Sequence, residues 1–248
     1  MKYLWLGLIL VLFSACNSKV KQANRRGLEY IKQNMYDQAI TEFNNALSVN
    51  SEWFPAYYNR AIAYSNTRRY KEALNDFNYL IANFPGHAES YFNRAIVYEN
   101  LGVYPQAIQD YTETVKLRPD FIMAYHYRGI ARFRMNDFDG ALADYNQALE
   151  LGNGISMDVA TAKEFGLNSS ALYFNRGVVM QKKGNIEAAI KDYSAAIRID
   201  PSSAKSYYNR AIAQMALNRN GEALKDLDIA SKLGYAKADH VKKMYFDN

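Results

Sequence analysis

The chain has 248 residues, with 30 Lys and Arg against 25 Asp and Glu, for a formal charge of +5. Its basic residues lie scattered among the acids with no run of five or six, which excludes a basic tail or stripe for nucleic acid. A single cysteine excludes a disulfide framework and a cysteine metal site, and no shift in composition marks a second domain.

The first predicted element is a signal. Lys2 precedes an apolar run from Leu4 to Phe13, and Ser14-Ala15-Cys16 follows. Such a run is half of the about 20 apolar residues that a membrane-spanning helix needs, so residues 1–15 are predicted to be a secretory signal peptide and the protein to be exported. Phe13-Ser14-Ala15-Cys16 resembles the lipobox of bacterial lipoproteins, departing from it in Phe13 where Leu is usual. The resemblance implies cleavage before Cys16, a diacylglycerol (palmitate-type) anchor on its sulfur and an acylated amine. Ordinary cleavage after Cys16 or Ser18 is the alternative. Two or more acyl chains hold a protein stably on a bilayer, and residues 16–19 make a tether of about 10 Å. Asn17 stands where Asp would retain a lipoprotein at the inner membrane, so the same resemblance favours the outer membrane.

Beyond residue 19 the chain repeats itself. Tyr57–Tyr64 reads YYNRAIAY, Tyr91–Tyr98 reads YFNRAIVY and Tyr207–Gln214 reads YYNRAIAQ. Aligned on the small residue after each Arg, Gly27, Ala61, Ala95, Gly129, Gly177 and Ala211 are spaced 34, 34, 34, 48 and 34 apart. A period of this size marks a solenoid of stacked two-element units. The units are 20–53, 54–87, 88–121 and 122–155, then 170–203 and 204–237 after an insertion at 156–169, with a cap at 238–248. Position 8 of each unit is Gly or Ala, and position 20 is Ala throughout: Ala39, Ala73, Ala107, Ala141, Ala189 and Ala223. These small residues let two helices approach, while Phe43, Phe77, Tyr111, Tyr145, Tyr193 and Leu227 at position 24, and Tyr at position 4, supply bulk. Position 15 is Asn34, Gly102, Asn136, Gly184 and Asn218, residues that tolerate the left-handed end of a helix, with Arg68 as the exception. Pro85, Pro119 and Pro201 close the second helix. This use of aromatic residues accounts for much of the 21 Tyr as core material.

The period and residue pattern resemble the tetratricopeptide repeat (TPR). The resemblance implies an all-α fold, a superhelical solenoid of about six helix-turn-helix repeats with a C-terminal capping helix. Within the insertion, Ser156 is placed to cap a short helix from Met157 to Phe165 that Gly166 ends. Leu151-Gly152 before it recurs as Leu233-Gly234 before the helical stretch Lys237–Phe246. Either both pieces cover an open end or joint, the insertion then dividing repeats one to four from five and six, or the insertion is a surface loop. Position 7 is always Arg and position 23 always acidic, which predicts a ladder of ion pairs; an arginine track for anionic ligands is the competing reading.

No enzyme is legible. His87, His126 and His240 lie in separate units, there is no nucleophile or phosphate-loop motif, and no cofactor or metal is implied. In TPR proteins the concave wall comes from the first helix, chiefly positions 2, 5, 6, 9, 12 and 13. The resemblance therefore implies a peptide groove at Tyr58, Asn59, Phe92, Asn93, His126, Phe174, Asn175, Tyr208 and Asn209, where amides meet a peptide backbone and rings meet its apolar side chains. Packing between repeats is the plainer role for the same residues, and for Ile62, Ile96, Ile130, Val178 and Ile212 at position 9. The carboxylate clamp of TPR co-chaperones is not matched: repeats one to three offer Asn24, Leu28, Asn59, Glu89 and Asn93, and repeats four to six offer His126, Ile130, Asn175, Lys205 and Asn209. The expected function is a non-enzymatic adaptor at the bacterial envelope that binds a segment of another envelope protein. The alternative is a structural protein that self-associates through its solenoid ends.

Overall fold

The computed structural model describes residues 18–154 and 169–246, which are almost entirely helical. The expected signal segment, Cys16 and the helix expected at 157–165 lie outside the described residues. Two compact units divide between Arg118 and Pro119. The first holds α1 (18–32), α2 (Tyr36–Val49), α3 (Phe54–Asn66), α4 (Tyr70–Asn83), α5 (Ala88–Asn100) and α6 (Tyr104–Leu117). The second holds α7 (Ile122–Arg134), α8 (Phe138–Gly154), α9 (Ser169–Lys182), α10 (Ile186–Ile199), α11 (Ala204–Ala216), α12 (Asn220–Lys232) and α13 (Ala236–Tyr245). Odd-numbered helices up to α11 are the first of each repeat and even-numbered ones the second, while α13 packs on α12 as the expected cap. Among the described residues no helix is long and apolar enough to cross a membrane.

The seam inside each repeat forms as its small residues require. All six position-20 alanines are fully buried, and the position-24 side chains from Phe43 to Leu227 are buried beside them. Where position 8 is Gly, a ring takes up the vacated space: a Cβ on Gly129 would come within 2.7 Å of the Tyr145 ring, and one on Gly177 within 2.8 Å of Tyr193. The position-4 tyrosines depart from the expectation of core bulk, for Tyr57, Tyr91, Tyr125, Tyr173 and Tyr207 are only half-buried. Each lies beneath the guanidinium three residues on, as with Arg60 over Tyr57 at 5.2 Å, a cation-π contact that keeps the ring at the surface edge.

Every repeat carries its arginine pair. Arg60, Arg94, Arg176 and Arg210 each give Nε and Nη2 to both oxygens of Asp76, Asp110, Asp192 and Asp226, at 2.7–2.8 Å. Arg26 holds Glu42 and Arg128 holds Asp144 through the same two nitrogens. The remaining nitrogen, Nη1, reaches back to the second helix of the preceding repeat: Arg60 to Asn44, Arg94 to Asn78, Arg176 to Asn146 and Arg210 to Ser194, at 2.6–2.9 Å. One planar side chain thus joins three helices.

Every first helix ends in one way. Asn34, Gly102, Asn136, Gly184 and Asn218 have φ between 59° and 82°, and so does Arg68 at 59°. The N–H of the next residue bonds the carbonyl five positions back, as Arg69 to Tyr64 at 2.8 Å and Val103 to Tyr98 at 2.8 Å. An arginine there bears a left-handed strain of about 1 kcal/mol that glycine does not.

The insertion does not divide repeat four from repeat five. Helices α8 and α9 pack together, and Tyr145, Leu149, Leu172 and Val179 share one core across them. The added residues leave from the end of α8 and return at the start of α9, so the stacking faces of both helices stay intact.

Candidate functional site

First helices of adjacent repeats meet within each unit, α3 with α5, α7 with α9 and α9 with α11, and the candidate residues stand on this face. All nine are half-buried. The aromatic ones rest on the position-24 rings of their own repeats: Tyr58 on Phe77 at 6.4 Å, Phe92 on Tyr111 at 5.7 Å and Phe174 on Tyr193 at 5.9 Å. Tyr208 instead meets Tyr235 beside the cap at 5.0 Å. Burial raises the pKa of Tyr58, chiefly by desolvation.

The asparagines follow a pattern the sequence did not reveal. Position 6 donates its amide to position 5 of the preceding repeat: Asn59 Nδ2 to Asn24 Oδ1 at 3.3 Å, Asn93 Nδ2 to Tyr58 Oη at 2.9 Å and Asn175 Nδ2 to His126 Nε2 at 3.0 Å. Asn209 has Phe174 in the place of an acceptor and turns to the Lys205 carbonyl of its own helix at 2.8 Å. Asn93 also donates to the Glu89 carbonyl at 2.8 Å, so both its amide hydrogens are engaged. These residues stitch repeats together, and Asn93 keeps only its oxygen to offer to a ligand. His126 is the half-buried acceptor of one stitch; desolvation of its ring pulls the pKa to about 4 and holds the ring neutral.

Beside Asn93 the surface opens into a cleft of about 410 Å3. Ile62 and Ile96 form its apolar walls over Phe77, while Asn66, Asn93 and Asn100 bring amides. Ser65, Tyr70 and the strained Arg68 complete the lining, which contains no acidic residue. Asn66 spends one amide hydrogen on the Ile62 carbonyl at 2.9 Å, which turns its oxygen outward. Of the candidates on positions 5 and 6, only Asn93 lines the cleft; the others belong to the stitches and their ring supports. Positions 12, 13 and 15, near the ends of the first helices, carry most of the polar lining. Arg68 was visible in the sequence as the exception at position 15, without a sign of what it lines. Among the described residues no group of three or more His, Cys, Asp and Glu is placed to hold a metal ion.

Four family models match in succession, three for the tetratricopeptide repeat at residues 23–52, 58–122 and 122–154, and one for the TPR repeat at 182–218. The chain is a tetratricopeptide-repeat protein. A TPR repeat-containing thioredoxin of Arabidopsis thaliana is 40% identical over 67 residues, 27% of this chain and 18% of that protein. The chain thus spans less than a fifth of that relative, and the similarity carries the repeat only. Among solved structures, PilF of Pseudomonas aeruginosa superposes with a TM-score of 0.70 at 16% identity, over 93% of this TPR chain and 94% of its own. YrrB, described as a TPR protein with an unusual peptide-binding site, superposes with a TM-score of 0.66 at 21% identity, over 81% and 97%. At these identities the likeness is one of fold.

Proposed function

We propose that this TPR protein is a non-enzymatic adaptor, exported and lipid-anchored through Cys16 at the bacterial cell envelope, on the outer membrane rather than the inner. It holds an extended segment of another envelope protein in the cleft between α3 and α5. The observation that carries the binding role is the cleft itself: two apolar walls flank the amide oxygens of Asn93, whose two hydrogens are engaged within the protein, and of Asn66, which has one engaged. A peptide backbone brings the N–H donors those oxygens lack. YrrB, with the same fold and a peptide-binding site, is a precedent for such use of stacked repeats.

The anchor rests on the apolar run Leu4–Phe13 and the sequence Phe13-Ser14-Ala15-Cys16. A photoreactive side chain at Asn66 or Asn100, compared with one at Asn78 on a second helix, tests the groove. Adducts to one envelope protein from the first two sites are expected, and adducts from Asn78 alone would remove the cleft from consideration. Labelling with a palmitate analogue is expected to mark the wild type and not Cys16→Ser; an unlabelled wild type refutes the anchor.

Self-association is the second reading, and the exposed end of α13 favours it: Met244 is 53% and Tyr245 60% exposed. Light scattering of the purified protein distinguishes the two, since a concentration-dependent dimer lost on Met244→Glu assigns that end to self-pairing.

A further inference from the structure

Arg68 sits in a backbone conformation that the corresponding residue of every other repeat meets with Gly or Asn. Its neighbour Arg69 is matched by Glu72 at 3.0 Å, and Arg118 on the same unit by Glu89 at 2.5 Å. Arg68 has no acidic partner among the described residues, is exposed, and lines a cleft without a carboxylate. The chain therefore keeps a strained residue with an unmatched charge beside apolar walls and three amides. Glycine would relieve the strain, yet the chain carries an arginine whose side chain lines the cleft.

We propose that the cleft takes a carboxylate-bearing peptide segment, with the Arg68 guanidinium receiving the carboxylate and Ile62 and Ile96 seating the adjacent apolar side chain. The assignment rests on the groove reading above and adds the chemistry of its occupant. A guanidinium offers two parallel N–H groups to a carboxylate. Asn66 and Asn93 meanwhile present oxygens, which suit the backbone N–H groups on either side of that residue. The cleft volume of about 410 Å3 admits a short peptide stretch rather than a folded domain. The carboxylate is therefore that of an Asp or Glu side chain within the segment, since a free C-terminus has no backbone N–H beyond it for the second amide oxygen.

Selection of random 12-residue synthetic peptides by the full chain tests this, with the library prepared once with a free C-terminal carboxylate and once acetylated and amidated. Enrichment of Asp and Glu in the amidated arm is the expected result; recovery from the free-carboxylate arm alone would assign the C-terminus and overturn the side-chain assignment. For the peptide recovered, Arg68→Gly is expected to weaken Kd at least tenfold and to flatten its salt dependence, while the melting temperature stays level or rises by about 2 °C. Arg68→Lys, which keeps the charge without the fork, is expected to fall between. Loss of folding therefore cannot mimic the predicted loss of binding. If recovered peptides crosslink at Asn66 yet carry no acidic preference, or bind Arg68→Gly as well as wild type, the carboxylate assignment is wrong and the groove reading stands. If they crosslink away from the cleft, both are wrong.

Discussion

Replacing Arg94 by Leu separates the two halves of a buried charge pair. Asp110 is 3% exposed and is held by Nε and Nη2 of Arg94 at 2.7 Å each, while the Arg94 side chain retains 18% exposure. Burial pushes the Asp110 carboxyl above its ordinary pKa, and Arg94 pulls it only part of the way back. For Arg94 burial is the largest single effect and lowers the pKa, but the hydrogen bonds it donates to Asp110 and the charges of Asp110, Tyr98 and Tyr91 together outweigh it, so the net shift is upward. Both partners thus shift upward because the acid is the more deeply placed. Without Arg94 the carboxylate is left unmatched in the seam, which costs about 3 kcal/mol at neutral pH.

The pH dependence has a definite sign. A carboxyl whose pKa is raised by folding contributes stability that is fully present below its unfolded value, about 4, and lost as pH rises through the folded one. The variant raises the folded value further, so its deficit relative to wild type should be widest at pH 7 and narrow toward pH 4. Urea denaturation of both proteins across that range measures it, and Arg94→Leu with Asp110→Leu should regain most of the loss. A deficit below about 1 kcal/mol, or one that is flat with pH, refutes the account of a strongly desolvated acid.

His126, held neutral with a pKa pulled to about 4, contributes stability that is present above its unfolded value near 6.5 and lost as pH falls through the folded one. His126→Gln should therefore reduce the drop in melting temperature between pH 7 and pH 4.5, by up to about 3 kcal/mol in stability. Gly177→Ala should cost about 1–3 kcal/mol by calorimetry, since its Cβ meets Tyr193, whose hydroxyl is fixed on Gln181 at 2.7 Å. Gly221→Ala, with open space around its Cβ, should be neutral or stabilising by up to about 1 kcal/mol in the same measurement.

The repeat register was readable because its constraints are local and recur every 34 residues: an alanine facing a ring, a left-handed helix end, an arginine with an acid 16 positions on. Each comes with a residue type that few others replace. The hydrogen bonds between repeats were hidden, because Asn59 looks the same in sequence whether its amide meets a ligand or Asn24. The period assigns a residue to a face and does not say which of its atoms are spent there. Position 4 shows the same limit, for tyrosine suits a core and equally suits the platform beneath a guanidinium. The walls of the cleft, Ile62 and Ile96, stood at a recurring position, whereas the charge of Arg68 was not assigned to it because that residue breaks the pattern rather than repeating it.

The arginine that joins three helices divides its bonds unequally, and this governs how the array comes apart. Its charge is neutralised inside its own repeat, by Asp76 for Arg60 or Asp226 for Arg210, whereas the link to the preceding repeat ends on a neutral acceptor, Asn44 or Ser194. A terminal repeat that peels away therefore takes both its charges with it and uncovers only an amide or hydroxyl, which water satisfies at once. Had the acid stood on the neighbouring repeat, each such opening would have stranded a desolvated ion on both sides of the break. Fraying from an end thus breaks none of the arginine pairs of the ladder, only exposed contacts between repeats such as Arg219–Glu187, and in evolution a repeat is free to be gained or lost with its ladder charges already balanced.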